Sequence, residues 1–277
     1  MKKRKLTEEE SNVILEKGTE APFTGEYWNH FEQGVYLCRQ CDAPLYLSNS
    51  KFRAQCGWPS FDDELPGAVE RRMDPDGKRT EIICASCEGH LGHVFKGEQY
   101  TEKDTRHCVN SLSIRFLGAE RAVFASGCFW GTQYHLDRTE GVLFTRAGYI
   151  GGSVEHPTYE QVCAGDTGHV EAVEVFFDPK RTSYERLAKL FFETHDPTQI
   201  DGQGPDIGSQ YRSKIFYDDE QQHSIAQRLI EEMENRGLSV ATVLEPMQPF
   251  WPAEELHQHY YDDKGSGPYC HVYTKRF

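Results

Sequence analysis

Residues 84–95 read CASCEGHLGHVF, two thiols and two imidazoles within twelve residues. A four-ligand zinc site, a redox dithiol, or two sites that touch would each account for them. The neighbour that decides lies upstream. Cys38-x-x-Cys41 repeats the Cys84-x-x-Cys87 spacing across a gap of 42 residues. Each CxxC forms a tight knuckle that offers two thiolates to a tetrahedral Zn²⁺. Two knuckles fill the shell, leave no open position, and free His90 and His93 for other work. The competing reading is a thioredoxin-like redox pair. Neither pair opens a helix after a strand, the setting that lowers a thiol pKa. The expectation is one structural Zn²⁺ per chain, held by Cys38, Cys41, Cys84 and Cys87.

Around this site the sequence reads as short strands. "GVYLCRQC", "APLYLS", "TEIICASC", "HVFKG" and "HCVNSLSIRF" alternate and are joined by turns. Only residues 6 to 16 look helical. The first half is expected to be mainly antiparallel sheet. From about residue 120 the texture changes. "RAVFAS" reads as a strand and "GCFWGTQYHLD" as a turn into a helix. "HVEAVEVFFDP" is a strand with period-two alternation, and "SVATVLEP" is a late strand. "TSYERLAKLFFETH" suggests a capping box at Thr182 and Glu185, with Tyr184, Leu187 and Phe191 at helical spacing. "QQHSIAQRLIEEMENRG" puts Ile225, Leu229 and Met233 on one face and Gly237 at the C-terminal cap. This half is expected to be an α+β two-layer sandwich. The domains are read as residues 1–117 and 122–277, with a short joint at 118–121.

The 277 residues suit two domains, each able to bury a core. A net charge of -14 without a basic stripe is a poor match to nucleic acid. "KKRK" at Lys2–Lys5 reads as a solvated terminus. No apolar run is long enough to span a bilayer, and the basic start has no apolar stretch behind it, as a signal peptide would. A cytoplasmic protein with no membrane partner is expected. Nine cysteines, an odd number with two CxxC pairs, argue for metal binding and reactive thiols over a secreted disulfide framework.

Two reactive centres stand out. In "RHCVNSLSIRF" the alternation places Cys108, Asn110, Leu112, Ile114 and Phe116 on one strand face, with Arg106 and His107 able to favour a thiolate. "AQCGWPSF" adds Cys56 and Trp58. A lone cysteine on a sheet face is more often a core residue. In "SGCFWG", Cys128 sits between a strand and a helix, where backbone N–H groups stabilise a thiolate. Phe129 and Trp130 could wall a small apolar pocket, or be core aromatics around a core thiol. Period two puts Glu171 on the face of Val173, Val175 and Phe177. Buried there it would hold its proton and suit an acid's role; at the strand mouth it would be solvated.

The first half, about residues 6 to 117, resembles methionine sulfoxide reductase B. "PFTGEYWNHFEQGVYLCRQCDAPLYLSNSKF", "CGWPSF", "CASCEGHLGHVF" and "RHCVNSLSIRF" carry the resemblance. It implies zinc on the four CxxC cysteines, a catalytic Cys108, a resolving Cys56, and site roles for Trp58, His90, His93 and Asn110. His107 departs from the usual Tyr. Residues 121 to 277 resemble methionine sulfoxide reductase A through "GCFWG", "GYIGG", "HPTYEQVCAGDTGHVEAVEVFFDP", "GPDIGSQYRS" and "FWPAEELHQHYY". This implies Cys128 as nucleophile and Phe129 and Trp130 around the substrate's S-methyl group. It further implies Glu171 as the acid, helped by Tyr159, Tyr211 and Asp206, and Cys270 of "GPYCHVY" as the resolving cysteine. The glycines and proline around Cys270 would let that segment swing to the site. Leu256 replaces a usual aromatic, and one cysteine near the C-terminus implies a short relay.

Together the resemblances imply a B–A fusion that reduces the R sulfoxide of methionine in its first half and the S sulfoxide in its second. Its partners would be oxidised proteins, peptides or free methionine sulfoxide, and thioredoxin or a similar dithiol. No organic cofactor is implied. The work implied is repair under oxidative stress. A zinc-ribbon interaction module would explain the CxxC pairs alone. A thiol peroxidase or disulfide oxidoreductase would have no use for the aromatic pair beside Cys128.

Overall fold

The structure is a computed structural model that describes residues 3–74 and 77–277. Lys2, the first residue of the basic run, lies outside them. The chain divides into two compact units, Met1–Ala119 and Glu120–Phe277.

The first unit opens with α1 (Glu8–Ile14), started by a capping box in which Thr7 and Glu10 satisfy each other's backbone N–H groups. Nine strands follow: β1 (Gly34–Cys38), β2 (Pro44–Leu47), β3 (Lys51–Phe52), β4 (Ser60–Phe61), β5 (Val69–Met73), β6 (Thr80–Cys84), β7 (His90–Lys96), β8 (Thr105–Val109) and β9 (Ile114–Gly118). They form two sheets, β2-β1-β9 and β3-β4-β8-β7-β6-β5. Every pairing in them is antiparallel, as the alternation predicts. The core draws on both sheets: Tyr36 and Tyr46 come from the smaller, Phe61, Ile82 and Val109 from the larger. The Tyr46 ring stacks on Phe61 at 4.3 Å.

The stretch 106–116 is not one strand. It leaves the larger sheet at Val109, makes a 3₁₀ turn over Ser111–Ser113, and enters the smaller sheet at Ile114. Asn110, Leu112, Ile114 and Phe116 therefore do not share a strand face with Cys108. The cause is Glu20, nearly buried, whose carboxylate accepts from the N–H of Ser111 (2.6 Å) and of Leu112 (3.0 Å). A buried carboxylate satisfies these donors in place of a ladder.

The second unit runs β10 (Glu120–Ser126), α2 (Phe129–Asp137), β11 (Val142–Ile150), α3 (Tyr159–Ala164), β12 (Val170–Phe177), α4 (Tyr184–Glu193), β13 (Gly202–Gln203), β14 (Asp206–Ile207), β15 (Ser213–Tyr217), α5 (Glu220–Asn235), β16 (Val243–Pro246), β17 (Trp251–Pro252) and α6 (Tyr260–Lys264). One six-stranded sheet, β16-β15-β10-β12-β11-β17, carries the unit, with β15 and β16 parallel. Phe124, Val173 and Val175 on one sheet face pack with Phe129, Leu187, Phe191 and Leu229 from α2, α4 and α5. On the opposite face Val123, Ala172 and Phe216 pack with Met247 and Phe250. This is the α+β sandwich expected. The α4 cap is Ser183, which accepts from Arg186 N, so the Thr182 reading is off by one residue. The buried face of Tyr184, Leu187 and Phe191 stands. Gly237, at φ +90°, follows α5 and donates its N–H to Glu234, a left-handed exit suited to glycine. No helix among the described residues is long and apolar enough to cross a membrane.

Candidate active sites

The four CxxC thiols of the first unit converge. Cys38 and Cys84 end β1 and β6. Asp42 and Glu88 follow the two knuckles in left-handed conformation, φ +61° and +62°, each donating its N–H back to the first cysteine's carbonyl. Cys38 and Cys87 Sγ lie 3.6 Å apart, Cys41 and Cys84 Sγ 3.7 Å. Four sulfurs at ~2.3 Å from one zinc would stand about 3.8 Å apart. All four lie within 4.8 Å of one another, so the donor set fits that ion. His90 and His93 are not in the group. His90 Nδ1 meets Glu81 at 2.8 Å, and His93 Nε2 meets Asp74 at 2.8 Å.

On the same larger sheet a cavity of about 140 Å³ is lined by Thr19, Trp58, Gly92, His93, Cys108 and Asn110. Cys108, with help from Ser60, pulls Cys56 down to about 5. Cys56 and burial in turn push Cys108 up. Negative charge is thus favoured on Cys56 over Cys108. Arg106, clamped by Glu98 at 2.6 and 2.8 Å, donates to Cys56 Sγ at 3.6 Å and favours that charge. His107 does not. Strand alternation turns it to the other face, where its fully buried ring meets Tyr46 (3.2 Å), Arg71 (3.2 Å) and Glu64 (3.0 Å).

Asn110 spends its amide on the backbone, accepting from Glu20 N (3.2 Å) and donating to Leu91 O (3.1 Å). Trp58 Nε1 donates to Glu20 O at 3.1 Å. Glu20 thus holds the turn, the amide and the indole, and sequence reading missed it. Glu81 was also missed. It is buried between His90 and Lys17, 2.7 Å from the Lys17 ammonium. A carboxylate in the apolar run of "TEIIC" was its signal. His93 lines the cavity, whereas His90 is buried with its ring 5.6 Å from that of His93 and its Nε2 unpartnered.

In the second unit Cys128 caps α2 and is 7% exposed. Glu171, on β12, is 1% exposed, and its Oε2 accepts from Phe129 N at 3.0 Å. Burial, with Asp206 nearby, raises the Glu171 carboxyl to about 8. Burial and Glu171 push the Cys128 thiol up, against the N–H of Trp130. Loss of water thus opposes the thiolate that the helix end favours. Phe129 is buried against Tyr149 and His257. Trp130 stacks on Tyr260 at 3.7 Å, its Nε1 without a partner. The hydroxyls of Tyr159 and Tyr211 are held protonated by burial and by Glu171.

Asp206 accepts from Tyr269 at 3.3 Å and helps to push the Cys270 thiol up. Cys270 acts electrostatically on Cys128. Cys163 is exposed. Glu254, which holds the Tyr149 hydroxyl and the Tyr159 N–H at 2.9 Å each, was missed, as a carboxylate in a loop carries no periodic signal.

Comparison with known proteins divides the chain in the same way. The family model for peptide methionine sulfoxide reductase matches residues 120–277, and that for the SelR domain residues 6–118. Peptide methionine sulfoxide reductase MsrA of Methanosarcina acetivorans is 49% identical over 151 residues, covering 53% of this chain and 80% of the relative. Peptide methionine sulfoxide reductase B5 of Arabidopsis thaliana is 57% identical over 116 residues, covering 42% and 84%. Reduced Mxr1 from Saccharomyces cerevisiae superposes with a TM-score of 0.52 at 34% identity, covering 57% of this chain and 93% of that one. The chain belongs to the peptide methionine sulfoxide reductases, with a B-type SelR region ahead of an A-type region.

Proposed function

We propose that the two units are separate reductase domains, the first acting on the R sulfoxide at Cys108 and the second on the S sulfoxide at Cys128. Each would close its cycle through a second cysteine, Cys56 and Cys270. The observation that supports this reading is that each unit holds a second thiol that acts electrostatically on the first, Cys56 on Cys108 and Cys270 on Cys128. Methionine sulfoxide is chiral at sulfur, and reductases divide its epimers between two enzymes.

At Cys128, Glu171 gives its proton to the sulfoxide oxygen and receives that of the attacking thiol. The Cys128 sulfur takes the oxygen, methionine leaves, and Cys128 becomes a sulfenic acid. Cys270 then bonds to Cys128 and water departs. Tyr159, Tyr211 and Asp206 line up the oxygen, and Phe129 with Trp130 holds the S-methyl group. At the first centre Cys108 attacks, since it lines the cavity and Cys56 does not. The Cys56 thiolate takes the Cys108 proton, and His93, with His90 near it, supplies one to the oxygen. Trp58 walls the cavity and Asn110 fixes its backbone.

Cys38, Cys41, Cys84 and Cys87 would hold one Zn²⁺, which supplies a cross-link for the knuckles and no chemistry. Thioredoxin or a similar dithiol would reduce both disulfides, a cycle suited to a reducing compartment such as the cytoplasm. The substrates would be oxidised proteins, peptides or free methionine sulfoxide. The test is a reaction with racemic sulfoxide and no reductant. Two methionines per chain should form, with Cys56–Cys108 and Cys128–Cys270 disulfides found by peptide mapping. Any other pairing would refute the resolving roles.

A further inference from the structure

The stretch after α6 is tied down by a buried imidazole. His271 is 2% exposed. Its Nε2 lies 2.9 Å from the carbonyl of Ser126, the last residue of β10. A carbonyl only accepts, so Nε2 carries the ring proton. Burial, with His195 and His135 nearby, holds the ring down at about 3, so it is neutral and Nδ1 is a bare lone pair. Cys270 Sγ faces that lone pair at 3.1 Å. Burial and Asp206 push Cys270 up to about 12, so its thiol keeps a proton to donate. Gly131 makes the room, because a Cβ there would fall 2.2 Å from Nδ1. It lies in the first turn of α2, the helix that Cys128 caps.

We propose that His271 is the proton acceptor for Cys270 in the step that joins Cys270 to Cys128, its tautomer set by the Ser126 carbonyl. This rests on the reading of Cys270 as the resolving cysteine. A buried thiol is a weak nucleophile, and the step needs a base in contact with it. As the S–S bond forms, the Cys128 S–O bond breaks. The Cys270 proton passes through Nδ1 to the departing hydroxide, so water leaves and the imidazole ends neutral. The sulfenic acid is the oxidant, and Cys270 is oxidised.

The experiment is a single turnover of the full chain on S sulfoxide without reductant. It follows the methionine burst, sulfenic acid trapped by dimedone, and disulfide closure. His271→Ala should keep the burst and slow closure by roughly 10²-fold, within the range of general-base effects. His271→Asn can accept the S–H hydrogen bond but cannot carry the proton, so it should be as slow. Normal closure in His271→Ala, or rescue by His271→Asn, would overturn the proposal. If His271→Ala loses the burst, and so has misfolded, His271→Asn alone decides. Cys270→Ser separates the two readings. If that variant still cycles with thioredoxin, the resolving role of Cys270 falls first. If it stalls while both His271 variants close normally, only the His271 role falls.

Discussion

Glu171 and Glu174 stand three residues apart on β12, both 1% exposed, on opposite faces of one sheet. Glu174 is paired, with Arg146 at 2.6 Å and Arg121 at 3.4 Å. Among the described residues Glu171 meets only the Phe129 N–H. One carboxylate is therefore bound by charge and the other is left holding a proton near neutral pH. Glu171→Gln should lower S-sulfoxide reduction by about 10²-fold or more with the fold intact. Glu174→Gln should leave the activity and cost about 3 kcal/mol in denaturant unfolding, because a buried pair loses one partner.

The Glu171 pKa fixes a sign as well. Its folded value, about 8, lies above its ordinary 4.5. The folded state holds a proton that the unfolded state has lost, so this stabilisation fades as pH rises from about 4.5 through 8. S reduction should fall over the upper part of that range. Glu171→Gln should remove this part of the pH dependence of stability and be the more stable form above pH 8. The face of Glu171 was legible from alternation alone. Its burial was not, since whether a strand residue is covered depends on α2, a distant element. The same alternation places His107 on the face opposite Cys108, where it meets Tyr46, Arg71 and Glu64.

At the scale of elements, the first centre depends on how closely β7 approaches β8. Gly92 sits beside a register shift in the β6–β7 pairing. A Cβ on Gly92 would lie 2.0 Å from the carbonyl oxygen of Cys108. Gly92→Ala should therefore push the strand carrying Cys108 out of place, at a cost of about 1–3 kcal/mol. R reduction should be lost while Cys108 remains titratable by thiol reagents. Unchanged R activity would mean the strand spacing does not set the site. The strands themselves were readable from short apolar alternation. The break after Val109 was not, because it depends on Glu20, some ninety residues upstream. The α4 start slipped by one residue because Thr182 and Ser183 are equally good caps by sequence, and only the backbone decides between them.

At the scale of the molecule, the four-sulfur group belongs to the first unit's core, with Cys38, Cys41 and Cys84 packed among its buried residues. About one zinc per chain should be retained on dialysis and found by elemental analysis. Cys84→Ser should release it, unfold the first unit and abolish R reduction. S reduction should persist, as the second unit has its own sheet and core. The central claim is that one chain carries two independent centres of opposite stereochemistry. It is tested most directly by reducing the separate R and S sulfoxides with thioredoxin, using wild type, Cys108→Ser and Cys128→Ser. Cys108→Ser is expected to lose R and keep S reduction, and Cys128→Ser to do the reverse. Loss of both activities in either variant would contradict it.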